Sequence, residues 1–261
     1  EIQFRTESLS GFSPSKTRPL CHRATASLRM SKNTNCKNAI KEWMKREKAM
    51  AEMKAKEWAE KKEAGAPDED MPLDADGQLH NPDGSVFTGP KDAKKITLIG
   101  MIPPIAKMDK QLNDLPLCEH LGLSTNNIGT IGNLKELRNL KTLSLSRNVI
   151  KALKNLDPLA DTLEQLWLSY NLLEKLDGLS KLRKLRILYV ANNKIADFAE
   201  FAKLKENTNL EELVAIGNPC YLASDAKTAR ATIIRAIPSL KMLDGTRIEL
   251  SEREEAEEKK E

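Results

Sequence analysis

Cys118 and His120 stand two apart in CEHLGL, the pair in this chain that comes nearest to offering two ligands to one metal ion. A tetrahedral zinc site needs further ligands, and none follow, so an inward Cys and an outward His within one strand is the plainer reading. Asp74-Ala75-Asp76-Gly77 begins like a calcium-binding loop. Its glycine arrives too early and no Glu closes the site at the twelfth position, which leaves turn chemistry. The three histidines are far apart in sequence, and there is no phosphate-binding glycine loop, no H-E-x-x-H and no paired C-x-x-C. We therefore expect no catalytic residue, no metal and no cofactor.

A chain so poor in reactive constellations works through its surfaces, and those depend on what it can bury. With 31% charged and 4% aromatic residues in 261, one modest core with extensions is expected. The net charge of +4 averages a Lys-rich N-terminal part with the Glu-rich residues 249–261, so a nucleic-acid partner is not implied. Cys21, Cys36, Cys118 and Cys220 are widely spaced and read as reduced thiols. No apolar run approaches the ~20 residues needed to span a bilayer, and no signal peptide opens the chain. A soluble intracellular protein with no membrane partner is expected.

Residues 1–33 are a Ser/Thr/Arg mixture without helical or strand period, read as a disordered leader. That the first residue is Glu1 and not Met favours a leader foreign to the native chain; the alternative is an organelle transit peptide, since the segment is basic and poor in acids. Residues 34–66 are dense in helix formers, with Glu42/Arg46, Glu52/Lys56 and Glu57/Lys61 in the favourable i,i+4 order, until Gly65 and Pro67 stop the helix. Its apolar residues Ile40, Trp43, Met44, Met50, Ala51 and Trp58 make only a loose stripe. Residues 67–95 form a Pro/Gly/Asp-rich linker in which Asn81-Pro82-Asp83-Gly84 predicts a hairpin. In the charged tail, 249–261, Ser251 and Glu254 have capping-box spacing ahead of a frayed helix.

Between these extensions, from 96 to about 248, the pattern L-x-x-L-x-L-x-x-N-x-L recurs. Its copies are CEHLGLSTNNI (118–128), LKTLSLSRNVI (140–150), LEQLWLSYNLL (163–173), LRILYVANNKI (185–195) and LEELVAIGNPC (210–220). Asn126, Asn148, Asn171, Asn193 and Asn218 are thus 22, 23, 22 and 25 residues apart. This is the signature of an α/β leucine-rich-repeat solenoid, with a parallel concave sheet and a convex return. Inward leucines such as Leu143 and Leu145, or Leu166 and Leu168, share a core with neighbouring repeats, and the asparagines satisfy backbone groups at the turn, a structural role. Leu134-Leu137-Leu140, Leu153-Leu156-Leu159 and Leu176-Leu179-Leu182 give the return its own apolar beat, which suits short helical turns. Ile96–Leu117 suits a first cap, and Ala226–Ile237 followed by PSLKMLDG a last one.

Outward strand residues are free of the core and carry information about partners. The first two repeat strands present His120, Gly122, Ser124, Thr142, Ser144 and Ser146. The next three present Gln165, Trp167, Ser169, Ile187, Tyr189, Ala191, Glu212, Val214 and Ile216, an apolar stripe suited to a protein partner. The competing expectation is that the N-terminal helix or the C-terminal tail folds over the stripe. Lys227, Arg230 and Arg235, on a helix at 226–237, would add a cationic rim complementary to an acidic partner, or would simply face solvent.

Several strings are more specific than the generic repeat. Ile102-Pro103-Pro104-Ile105 followed by Lys107-Met108-Asp109, then LSTNNI, DTLEQLWLSYNLLEKLDGL, LRILYVANNKI and LEELVAIGNP, together with Asn38–Lys45 around Trp43, resemble the leucine-rich light-chain family of axonemal outer-arm dynein. The resemblance covers about 95–248. It implies a monomeric, non-catalytic subunit of a larger complex in the cytoplasm and cytoskeleton, at the axoneme of a cilium or flagellum. Its partner would be the dynein heavy chain, met at or near the microtubule-binding stalk tip, with a direct tubulin or microtubule contact left open. Trp167 and Tyr189 stand where the family has its Trp and Tyr, and Arg230 and Arg235 approximately where its terminal helix is basic. Residues 1–29 and about 47–94 have no counterpart in the resemblance. The repeat alone is also shared with phosphatase-1 regulatory subunits and a spliceosomal protein, so an adaptor of another complex is the alternative.

Overall fold

The computed structural model describes residues 34–63 and 89–258, all within one structural unit, Lys32–Glu261. The leader, the Asp74–Gly77 turn and the expected hairpin at Asn81–Gly84 lie outside those residues. The first strand, β1 (Thr34–Asn35), runs into helix α1 (Cys36–Glu63), which Asn35 caps by accepting the Asn38 N–H at 3.0 Å. Cys36, Ala39, Ile40 and Trp43 are buried at i, i+3, i+4, i+7 spacing. Strands β2 (Lys95–Thr97) and β3 (Ile105–Lys107) follow, and α1 packs on β3 and on the 3₁₀ turn Lys110–Asp114. Of the loose stripe read from sequence, Ile40, Trp43 and Ala51 are buried, Met44 is half-buried and Met50 is exposed.

The repeats build β4 (His120–Gly122), β5 (Thr142–Ser144), β6 (Gln165–Trp167), β7 (Ile187–Tyr189), helix α2 (Ala199–Ala202) and β8 (Glu212–Val214). After them come α3 (Pro219–Leu222), α4 (Ala226–Ala236), β9 (Met242–Leu243), β10 (Thr246–Arg247) and α5 (Leu250–Glu258). One sheet runs β2-β4-β5-β6-β7-β8-β9 in parallel, and β10 pairs antiparallel with β9. Register aligns Ile96, Leu121, Leu143, Leu166, Leu188, Leu213 and Leu243 in one buried column. No three-residue strand could bury its leucine alone; stacking covers each from both sides.

The asparagines tie the layers together. Each donates from Nδ2 to the carbonyl three residues earlier and to a carbonyl of the preceding layer, as Asn171 does to Leu168 and Leu145, both at 3.0 Å. Each Oδ1 accepts an N–H of the preceding layer: Asn126 from Ile105, Asn148 from Ile128, Asn171 from Ile150, Asn193 from Leu173 and Asn218 from Ile195. The residue before each asparagine is left-handed: Thr125, Arg147, Tyr170, Asn192 and Gly217 have φ from 54° to 80°. The chain thereby leaves the strand in a single step.

Between β4 and β8 the return limbs are mostly hydrogen-bonded turns, helical at Asp157–Leu159, α2 and the following Lys203–Glu206. Their leucines are buried all the same. Asn133 and Asn155, at φ 56° and 61°, donate to Met108 O and Ile131 O at 2.6 and 2.8 Å, a second ladder on this side. Gly178 takes the next place at φ +94°, where an added Cβ would lie 2.4 Å from the Leu153 carbonyl oxygen. Gly178→Ala is expected to lower unfolding free energy by about 1–3 kcal/mol, read from urea denaturation.

One edge of the sheet carries an alternating charge series. Lys94, Glu119, Lys141, Glu164, Arg186, Glu211 and Lys241 occupy equivalent positions ahead of successive parallel strands. Lys141 Nζ meets Glu119 at 2.6 Å, and Glu211 is held by both Arg186 and Lys241 at 2.7 Å. These exposed pairs keep the Glu119 and Glu211 carboxyls below their ordinary range, chiefly through hydrogen bonds to Lys141 and Lys241 respectively.

The C-terminal end is closed by a clamp. Arg230 on α4 donates to both carboxylate oxygens of Glu252 on α5, at 2.7 and 3.0 Å, and to Leu243 O and Arg247 O. Asp244, directly after Leu243, accepts from Ala215 N and Ile216 N, and from the Tyr221 hydroxyl at 2.7 Å. The tail read as a frayed helix from Ser251 instead starts at Leu250, where Glu252 caps the Glu249 N–H, and it packs on α4 with Ala256 buried. Among the described residues no helix is long and apolar enough to cross a membrane.

Candidate partner-binding surface

Alternation along a strand sends the residues flanking each inward leucine to the concave face. Register lines up Trp167, Tyr189 and Val214 in one row across β6, β7 and β8, and Gln165, Ile187 and Glu212 in another. The Trp167 and Tyr189 rings stack at 6.1 Å between centroids and 16° between planes. Trp167 is 37% and Ile216 54% exposed, while Ile187, Tyr189 and Val214 are half-buried. Five of the residues expected to meet a partner thus occupy neighbouring positions on one face.

Ala191 departs from that expectation: it is buried, because its methyl is too short to clear the larger side chains around it. Toward the N-terminal end the face satisfies itself. Ser124 and Ser144 share a hydrogen bond of 2.6 Å, and the Ile99 side chain lies 3.6 Å from where a Cβ on Gly122 would stand. Neither described helix that sequence offered as a cover lies on the stripe: α1 packs at the β3 end and α5 on α4.

The basic helix is also not beside the stripe. α4 lies on the return between β8 and β9, packed on α2 and α3, the limb opposite the strands. Arg230 is turned into the clamp with Glu252, and Lys227 meets Glu255 at 3.0 Å. Arg235 is exposed in the last turn of α4. The cationic rim expected around the stripe is therefore replaced by intramolecular ion pairs at the end of the solenoid.

Two polar features escaped the sequence reading. The Tyr189 hydroxyl donates to Glu212 Oε1 at 2.5 Å, and this bond, with partial burial, pushes the phenol up to about 12, so it remains a donor at neutral pH. The Arg147 guanidinium lies 4.5 Å over the exposed Tyr170 ring at the strand exit. The pairing of Glu212 with Tyr189 was readable in principle, since both are outward on adjacent strands. The second depends on left-handed turn residues whose direction the repeat pattern does not give.

Cys118 is buried, its Sγ–H pointing to His120 O at 3.4 Å, and burial pushes its thiol up to about 12; Cys36 is pushed up to about 11 in the same way. Among the described residues no three His, Cys, Asp or Glu side chains converge to hold a metal ion.

The leucine-rich repeat family matches residues 118–261. The dynein axonemal light chain 1 of Chlamydomonas reinhardtii is 48% identical over 171 residues, 63% of this chain and 85% of that protein. The proteins of that name from Rattus norvegicus and Homo sapiens are 50% and 49% identical over 169 residues, 64% of this chain and 88% of each. On this similarity, which covers 85% or more of each of these relatives, the chain belongs to the dynein axonemal light chain 1 family.

Proposed function

We propose that the chain is a non-catalytic light chain of axonemal outer-arm dynein. It binds the motor heavy chain at or near the microtubule-binding tip of the stalk, through the concave face around Trp167 and Tyr189, and so regulates motility at the axoneme of a cilium or flagellum. The names of the relatives support the motor, and one observation supports the face: the stacked, solvent-facing Trp167–Tyr189 pair on adjacent strands. Large aromatics left open to solvent on a rigid sheet are the anchors that interfaces concentrate on.

The test is binding of the purified chain to a recombinant heavy-chain stalk fragment. Trp167→Ala and Tyr189→Ala are each expected to weaken it by about 2 kcal/mol or more, roughly 30-fold, with little change in melting temperature. Failure of the unaltered chain to bind, or variants that melt early while retaining affinity, would overturn the proposal.

A further inference from the structure

Resting on that reading of the concave face, we infer that the element docking there carries a lysine or arginine that seats on Glu212, at the edge of the aromatic pair. The two neighbouring acids at the start of β8 have opposite surroundings. Glu211, on the sheet edge, is neutralised twice, by Arg186 and Lys241. Glu212, on the concave face, forms no ion pair among the described residues; its one side-chain partner is the Tyr189 hydroxyl on Oε1.

That hydroxyl ties the carboxylate to the patch. An occupant lying on the Tyr189 ring also covers the tip of Glu212 and strips water from it. A neutral donor satisfies one oxygen, but a carboxylate moved out of water without a counter-charge is strongly disfavoured. A purely apolar occupant is therefore rejected by the surface that its apolar groups would choose. A cation on the occupant removes the penalty, and beside two stacked aromatic faces it gains a further attraction. The preference is thus for a basic residue flanked by apolar ones, the reverse of the acidic partner that α4 suggested by composition.

The full-length chain and its Glu212→Gln and Glu212→Lys variants would be titrated against the heavy-chain stalk fragment at low and high salt, with Trp167→Ala alongside and melting temperature as the fold control. Glu212→Lys is expected to lose about 30-fold or more in affinity, and Glu212→Gln less, with a flatter salt dependence. A Lys/Arg→Glu scan of the fragment should restore Glu212→Lys binding at one position. Unchanged affinity of Glu212→Lys while Trp167→Ala fails overturns this inference and leaves the heavy-chain reading standing. A fragment that does not bind the unaltered chain overturns both.

Discussion

Asn171→Ala is expected to destabilise the solenoid by about 2–4 kcal/mol, measured by urea or guanidinium unfolding. Its Oδ1 holds the Ile150 N–H at 3.0 Å, which truncation leaves buried without an acceptor. The carbonyls it serves are shared: Leu145 O is also met by Asn148, and Leu168 O by Asn193. Each therefore loses one of two donors, which holds the cost below that of three orphaned groups. The same sharing makes Asn148→Ala with Asn171→Ala non-additive, since both amides act on Leu145 O. Asn171→Asp should cost at least as much as alanine. A carboxylate can still accept from Ile150, but it sets charge against two carbonyl oxygens in a buried site.

Leu166→Ala is expected to cost about 3–5 kcal/mol by the same measurement. The side chain is 0% exposed at the centre of the column, with Leu143 on one side and Leu188 on the other. Strands held by ladder hydrogen bonds on both edges cannot close in on the void, so the cavity term is retained. Leu166→Met, which keeps the volume, should cost less than about 1.5 kcal/mol. Trp167, one residue on but facing solvent, gives the contrast: its loss is read in binding and not in unfolding.

The solenoid was legible because each repeat states the same solution again: leucines at period two, then an asparagine where the turn needs donors and an acceptor together. Trp167 and Tyr189 followed from strand parity alone. Ala191 did not, since parity gives direction while burial depends on the height of the neighbours. The placement of α4 was missed because its basic residues were read by composition, although a segment between two strands of a solenoid must run on the return limb. The docking of α5 had no sequence signal of useful strength, with Ala256 a lone buried residue among acids and Arg230 the distant group that holds Glu252. The edge charges could have been found, for five of the seven are the second letters of the aligned repeat strings.

Those charges give the solenoid a parity. From Lys94 to Lys241 the sign changes at every step, so a layer is matched to neighbours of the opposite kind and mismatched to its own. Deleting or duplicating a single repeat would bring two like charges onto strands about 4.8 Å apart, whereas adding or removing repeats in pairs preserves the alternation. Growth of such a scaffold is thereby biased toward even steps, and an exchange of strands between two copies slipped by one layer is disfavoured before any side chain in the core is consulted.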